Sequence, residues 1–237
     1  MHGFADDFSA HYGGTLMIKP SKIFEVFIDD KWKLFTRNLT PGKTFFNEVI
    51  AKDKDGELRE WDAKRSKLAA AIAKGASNIF IRKGSVVLYL GAAHGYTPSY
   101  ISDIVGKEGF IFALDSAPRV VRDLVFLANE RTNIAPILAD AHHPEEYADK
   151  VTEVDIVYQD VAQRDQAQIF LKNCDEFLAP GGYGLLAVKA RSVDVTRHPK
   201  QVFEEVRKMI EKKMTVVDFK TLDPFEKDHC FIFAKKR

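Results

Sequence analysis

Ser85-Val86-Val87-Leu88-Tyr89-Leu90-Gly91-Ala92-Ala93-His94-Gly95-Tyr96-Thr97-Pro98 is the stretch that decides the fold. The uninterrupted apolar run from Val86 to Leu90 reads as a strand buried on both faces. It opens into a loop carrying Gly91 and Gly95, after which Thr97-Pro98 is expected as N-cap and first helical residue. Glycines there let the backbone approach a ligand where a first strand meets its helix, the usual crevice of an open α/β sheet. Asp115, 24 residues beyond Gly91, ends the next strand, where an acid can accept hydrogen bonds from a ribose diol. Loop and acid together predict a nucleoside-containing cofactor. The third glycine of the dinucleotide fingerprint is missing, which favours a nucleoside without phosphates, commonly S-adenosylmethionine.

Outward from this unit, strands alternate with helices. Phe110 to Leu114, Ala135 to Leu138, Val154 to Tyr158 and Tyr183 to Val188 read as strands. Helices are expected at Pro98 to Val105, Pro118 to Glu130, near Gln163 to Leu178, and at Pro199 to Lys212. Met214 to Leu222 and His229 to Lys235 follow without a helix between them, so they should close a mostly parallel sheet as an antiparallel hairpin. Before residue 62 the pattern is different. β-type runs at Thr15 to Ile18, Ile23 to Ile28, Trp32 to Thr36, Thr44 to Ile50 and Leu58 to Trp61 are separated by turn signals, which predicts a small antiparallel unit. Asp62 then reads as the cap of a helix with Leu68, Ala69, Ile72 and Ala73 on its apolar side, ended by Gly75.

Several polar residues stand at the carboxyl ends of the predicted strands. Asp140-Ala141 follows the third, where a carboxylate could meet an adenine amino group or merely cap the segment at Pro144. Asp160 follows the fourth, ahead of Val161-Ala162-Gln163, and Lys189 ends the next. Asp160 and Lys189 would face one crevice, as site residues or as a structural ion pair. Adjacent His142 and His143 lack a third ligand at suitable spacing and read as surface residues, so no metal is expected. Cys174 and Cys230 read as buried small hydrophobes in a reducing compartment.

The motifs Arg65-Ser66-Lys67-Leu68-Ala69-Ala70-Ala71-Ile72, Tyr89-Leu90-Gly91-Ala92-Ala93, Ser102-Asp103-Ile104-Val105-Gly106, Asp160-Val161-Ala162-Gln163, Gly181-Gly182-Tyr183-Gly184 and Glu226-Lys227-Asp228-His229 together resemble fibrillarin, the guide-RNA-directed 2′-O-methyltransferase. The resemblance covers about residues 38 to 235 and is to the archaeal form, without a glycine- and arginine-rich tail. It implies an α/β fold: a Rossmann-like, seven-stranded S-adenosylmethionine-dependent methyltransferase domain at 62–237 behind a small N-terminal antiparallel β domain at 1–61. Carried over by position, the cofactor contacts fall on Gly91 and Ala92, Tyr96 and Thr97, Asp115 and Ser116, Asp140 and Ala141, and Asp160, Val161, Ala162 and Gln163. The catalytic group falls on Lys67, Asp160, Lys189 and His229. His94, Tyr96, Asp115-Ser116 and Asp62-Ala63 depart from the commonest family pattern. The implied partners are a Nop-domain scaffold protein, a kink-turn-binding protein of the ribosomal type, and a box C/D guide RNA that pairs with rRNA or tRNA.

In such a reaction Lys189, oriented by Asp160 with Lys67 nearby, would bind the 2′-oxygen and help remove its proton. Alternatively the lysines are electrostatic clamps and water takes the proton. A nucleotide-dependent oxidoreductase fits the first loop less well, for want of the third glycine. A non-catalytic scaffold subunit would bind no cofactor. No run approaches a membrane span and no leader pattern is evident, so a soluble protein of the archaeal cytoplasm is expected. The 237 residues carry a formal charge of +1, but the charges are segregated. Residues 61–86 hold six basic and one acidic side chain, residues 186–213 eight and four, and residues 87–185 seven and fifteen. The lysines therefore lie in basic segments and the strand-end aspartates in an acidic one, as a phosphate-bearing substrate and a cationic cofactor require.

Overall fold

The computed structural model describes residues 17–237. Its smaller sheet contains β1 (Lys19–Pro20), β2 (Val26–Ile28), β3 (Leu34–Arg37), β4 (Ile50–Asp53) and β5 (Gly56–Trp61), all antiparallel, in the order β1-β2-β3-β5-β4. Of the expected strand at Thr15 to Ile18, residues 15 and 16 lie outside the described residues, while Met17 and Ile18 are not strand.

The run from Thr44 is also not a strand before Ile50. Glu48 turns back on the loop and accepts from the N–H of Phe46 at 2.7 Å, while Arg59 donates to the same carboxylate at 2.7 Å. Phe45 lies under the guanidiniums of Arg59 and Arg131, with centroid distances of 5.5 and 5.0 Å. Phe45, one of the aromatic residues that suggested a strand, thus covers buried cations instead.

The larger sheet has seven strands: β6 (Val86–Leu90), β7 (Phe110–Asp115), β8 (Ile134–Leu138), β9 (Val154–Gln159), β10 (Leu178–Lys189), β11 (Met214–Thr221) and β12 (His229–Lys236), ordered β11-β12-β10-β9-β6-β7-β8. Strands β6 to β10 run parallel, and β12 pairs antiparallel with both β10 and β11. One face carries Tyr89, Tyr158, Leu185 and Phe231. It packs against α1 (Lys67–Ala73), α2 (Tyr96–Val105) and the Leu124 and Leu127 side chains of α3 (Pro118–Glu130). The other carries Leu88, Val157, Leu186 and Ile232 and is covered by α4 (Gln166–Phe177) and α6 (Pro199–Glu211), with the short α5 (Ala190–Val193) between β10 and α6. Alternation with period two sends neighbouring strand residues to opposite cores.

Two helix starts differ from expectation. Ser66, not Asp62, caps α1, its hydroxyl accepting from the Ala69 N–H, whereas Asp62 accepts locally from the Lys64 N–H at 2.8 Å. Gly95, not Thr97, is the N-cap of α2, at φ 86°. The left-handed turn favours glycine there, and a Cβ at Gly95 would stand 2.4 Å from Leu127 Cδ2, so the leucine side chains of α3 would have to give way.

The two sheets share a buried ionic junction. Asp103 of α2 accepts from Thr36 Oγ1 at 2.7 Å, Arg59 Nη1 at 2.9 Å, Arg131 Nη1 at 2.7 Å and the Leu39 N–H at 3.0 Å. Glu48 supplies the second carboxylate to Arg59. Trp61 stacks on Tyr100 at 5.2 Å within the continuous core beneath.

Candidate active site

The carboxyl ends of β6 and β9 meet where Asp160 donates its N–H to the Leu90 carbonyl at 2.9 Å. Gly91, at φ 79°, passes so close that a Cβ would lie 2.4 Å from the Asp160 carbonyl oxygen. Asp160 follows Gln159 and so shares the sheet face of Tyr158. On that face Lys67, the first residue of α1, donates to Asp160 Oδ2 at 2.8 Å. The helix start is fixed by Ser66, whose hydroxyl also accepts from Thr97 Oγ1 at 3.0 Å.

Lys189 and His229 are direct register partners across β10 and β12. Lys189 alternates with Ala187 and Leu185, and His229 with Phe231 and Phe233, so both stand on the Tyr158 face. Lys67, Asp160, Lys189 and His229 are therefore gathered at one edge of one face.

The structural ion pair, one of the two readings of Asp160 and Lys189, does not form: Asp160 pairs with Lys67. In the parallel register Leu186 stands opposite Gln159, which puts Lys189 two residues, about 7 Å, beyond the level of Asp160. The Lys189 ammonium makes no ion pair or hydrogen bond among the described residues. Its backbone is held instead by Gln166, which accepts from the Lys189 N–H and donates to its carbonyl, both at 3.2 Å. Buried Gln166 also donates to the Gln163 carbonyl at 3.1 Å, tying Lys189 to the loop after Asp160. No motif pointed to Gln166; its role comes from tertiary contacts alone.

Burial works against the charge on Lys67, but Asp160, aided by Glu226, more than offsets it and holds the ammonium above the usual lysine pKa. Beneath Asp160, Tyr89 and Tyr158 stack at 4.2 Å, and burial keeps both phenols protonated. His229 is buried, and its Nδ1 lies 2.6 Å from the Lys227 carbonyl. A carbonyl only accepts, so Nδ1 carries a proton and donates to it.

Beside this group lies a cleft of about 220 Å³. Gly91, Asp115, Ser116, Asp140, Ala141, Asp160, Val161, Ala162 and Gln163 line it, together with Ala93, Leu114, His142 and Ile169. Larger hollows of about 480 and about 450 Å³ open on the smaller sheet and at the amino ends of the parallel strands, and neither is lined by an expected site residue. Asp115 Oδ2 accepts from the Ala93 N–H and Oδ1 from the Ala117 N–H, each at 3.0 Å, which fixes the carboxylate at the cleft.

Ala92, Tyr96 and Thr97, also expected as cofactor contacts, do not line this cleft. Ala92 is buried, with its N–H donated to the Leu114 carbonyl. The Tyr96 hydroxyl accepts from the Asp62 N–H at 3.2 Å, and its ring lies 4.2 Å under the Arg65 guanidinium and edge-on to Phe46. Thr97 braces the cap of α1. With Gly95 as the cap, Tyr96 and Thr97 are already helical and project toward the smaller sheet and α1.

A family profile described as Fibrillarin matches residues 18–237. The chain belongs to the fibrillarin family. A fibrillarin-like rRNA/tRNA 2′-O-methyltransferase of Thermococcus sibiricus is 47% identical over 215 residues, 90% of this chain and 95% of that protein. The structure of Aeropyrum pernix fibrillarin with natively bound S-adenosyl-L-methionine superposes with a TM-score of 0.85 at 41% identity, covering 92% of this chain and 98% of the other. A fibrillarin from a fibrillarin/Nop5p complex superposes at 0.81 with 38% identity, covering 91% and 99%. The α/β architecture with its antiparallel N-terminal sheet is thus that of the fibrillarin family. No helix among the described residues is long and apolar enough to cross a membrane.

Proposed function

We propose that this chain transfers the methyl group of S-adenosylmethionine to the ribose 2′-hydroxyl of rRNA and tRNA nucleotides selected by a box C/D guide RNA. It would do so beside a Nop-domain scaffold and a kink-turn-binding ribosomal-type protein, in the archaeal cytoplasm. Within this reading the domain boundary falls between 61 and 62: the small β domain is 1–61, of which 17–61 are described, and the methyltransferase domain is 62–237. The observation that carries it is the gathering of Lys67, Asp160, Lys189 and His229 on one sheet face beside an acidic cleft.

The cleft fits the cofactor. Asp115, Asp140 and Asp160 give it the charge a sulfonium needs, and the missing Cβ of Gly91 is what allows β6 and β9 to close its floor. Asp115 would take the ribose diol and Asp140 the adenine amino group. When bound, the sulfonium supplies an electrophilic methyl for in-line displacement.

The residues of the chain position the attacking hydroxyl and stabilise the charge that develops on it. Lys67, paired with Asp160, keeps its proton at neutral pH and acts as a clamp, not a base. Lys189, whose side chain has no partner among the described residues, is presented to the same oxygen or the adjoining phosphate. The imidazole of His229 borders them, and water carries the proton away.

The test is single-turnover transfer from tritium-labelled S-adenosylmethionine to target RNA in the reconstituted complex. Lys189→Ala should abolish transfer while calorimetry finds cofactor affinity within about twofold of the parent. Near-normal transfer by that variant would overturn the assignment. An inability of the parent to bind the cofactor would leave the chain a scaffold subunit.

A further inference from the structure

His142 belongs to no expected site, yet it lies at the cleft between two carboxylates. Its Nδ1 is 2.7 Å from Asp140 Oδ1 and its Nε2 is 3.2 Å from Asp165 Oδ1. Ionised carboxylates only accept, so both ring nitrogens must donate, and that requires the imidazolium. The Asp140 Oδ1 atom also accepts from the His142 N–H at 3.0 Å, whereas Oδ2 has no hydrogen bond among the described residues. The backbone around the pair is anchored to α4: Asn173 donates to the Ala141 carbonyl at 2.9 Å and Lys172 to the His142 carbonyl at 2.7 Å. Asp165 is itself the residue at which α4 begins.

We propose that His142 is a positioning residue of the cofactor cleft: its imidazolium bridges Asp140 to Asp165 and so reserves Asp140 Oδ2 as the acceptor for the purine amino group. This rests on the reading of the cleft as the cofactor site. A neutral ring can keep one bridge at most, so Asp140 loses its tether to α4, or the ring its hold on Asp140, as the proton leaves.

The charged groups around the ring are few. Asp140 comes from the segment after β8 and Asp165 from α4. Lys172 of α4 reaches the His142 carbonyl, while Glu145, in the turn that follows, engages His143 and Lys172. The hydrogen bond to Asp140, reinforced by that to Asp165, outweighs partial burial and raises the His142 pKa above 6.5. The bridge is therefore complete below that value and is lost as pH rises through the raised one.

Binding of S-adenosylmethionine is measured by calorimetry from about pH 6 to about pH 9 on the full chain and on H142A, H142R and D165N. Arginine keeps a charged fork of donors at every pH. H142A should bind about fivefold more weakly than the parent at pH 6, the modest size reflecting a half-exposed pair. By pH 9 the difference should have closed to within about twofold. H142R should bind near the parental level at pH 6 and exceed it at pH 9, and D165N should fall between the parent and H142A. Because all variants share one ligand, its own titration cancels in these ratios. Parental affinity and pH dependence in H142A would overturn the role of His142 while leaving the cofactor site standing. Absence of binding by the parent would remove the site and the proposal together. Thermal melts of each variant separate loss of binding from loss of fold.

Discussion

Asp103→Asn tests the junction that fixes the smaller sheet to the helix behind the cofactor loop. The cluster balances two guanidiniums, Arg59 and Arg131, against two carboxylates, Asp103 and Glu48. The two arginine side chains and that of Asp103 are fully buried. Burial and the nearness of Arg59 pull the Arg131 guanidinium below the usual arginine value, but arginine remains charged in proteins. Replacing Asp103 by asparagine therefore leaves two buried cations facing one carboxylate, and removes the better acceptor for the Thr36 hydroxyl and Leu39 N–H. Breaking a buried ion pair costs about 3–5 kcal/mol, while replacing a whole network by apolar residues can be neutral. At roughly 2–4 °C per kcal/mol for a chain of this size, the melting temperature should fall by about 6–20 °C. Urea unfolding followed by near-ultraviolet signal from Trp61 gives the free energy directly. A loss below about 1 kcal/mol would refute the reasoning, because it would mean that the guanidiniums are satisfied without Asp103.

Gly91→Ala should cost about 3 kcal/mol, since a positive φ and a contact of 2.4 Å with the Asp160 backbone must both be relieved. Displacing Asp160 should also weaken cofactor binding at least tenfold by calorimetry, and parental values for both would remove the close-approach argument. On the smaller sheet, Arg37 donates twice to Asp53, at 2.6 and 2.8 Å, and holds its pKa at about 2 instead of 3.8. A depressed carboxylate stabilises above its unfolded pKa, so Arg37→Ala should cost about 1 kcal/mol at pH 7. That difference should shrink as pH falls from 3.8 toward 2, as urea titrations at several pH values will report. Burial raises the thiol pKa of both Cys174 and Cys230, so neither should react with a disulfide reagent until denaturant is added.

The parallel half of the fold was legible because its buried strands are predominantly apolar runs, continuous in β6 and broken in β9 only by Asp155 before Gln159. Pro118 to Glu130 even emerges with its expected bounds, set by a proline at the first turn. The N-terminal sheet was harder to read, since Phe45 covers cations brought from Arg59 and Arg131, partners that no local pattern announces. Side-chain capping rules favoured Thr97 and Asp62, yet a left-handed glycine and Ser66 start the two helices. Strand-end position leads to Asp115, Asp140 and Asp160, which line one cleft, while Lys189 stands further along the neighbouring strand. Which of them pair depends on register, and the ion pair of Asp160 goes to Lys67, 93 residues earlier in the chain. His142 was passed over as a surface residue because its two carboxylate neighbours come from different elements.

Strand β12 follows β11 in sequence but lies inside it in the sheet, between β10 and β11. While the ribosome has released the chain only as far as β11, the slot beside β10 is empty and Lys189 lacks His229 across from it. Lys67 and Asp160 can already be in place, but the fourth member of the group arrives only with this strand. Synthesis is vectorial and such long-range pairing is slow, so insertion of β12 would be a late event. A nascent chain would hold a formed cleft before all four residues of the proposed catalytic group stand at one edge, and acquisition of activity would report completion of the sheet.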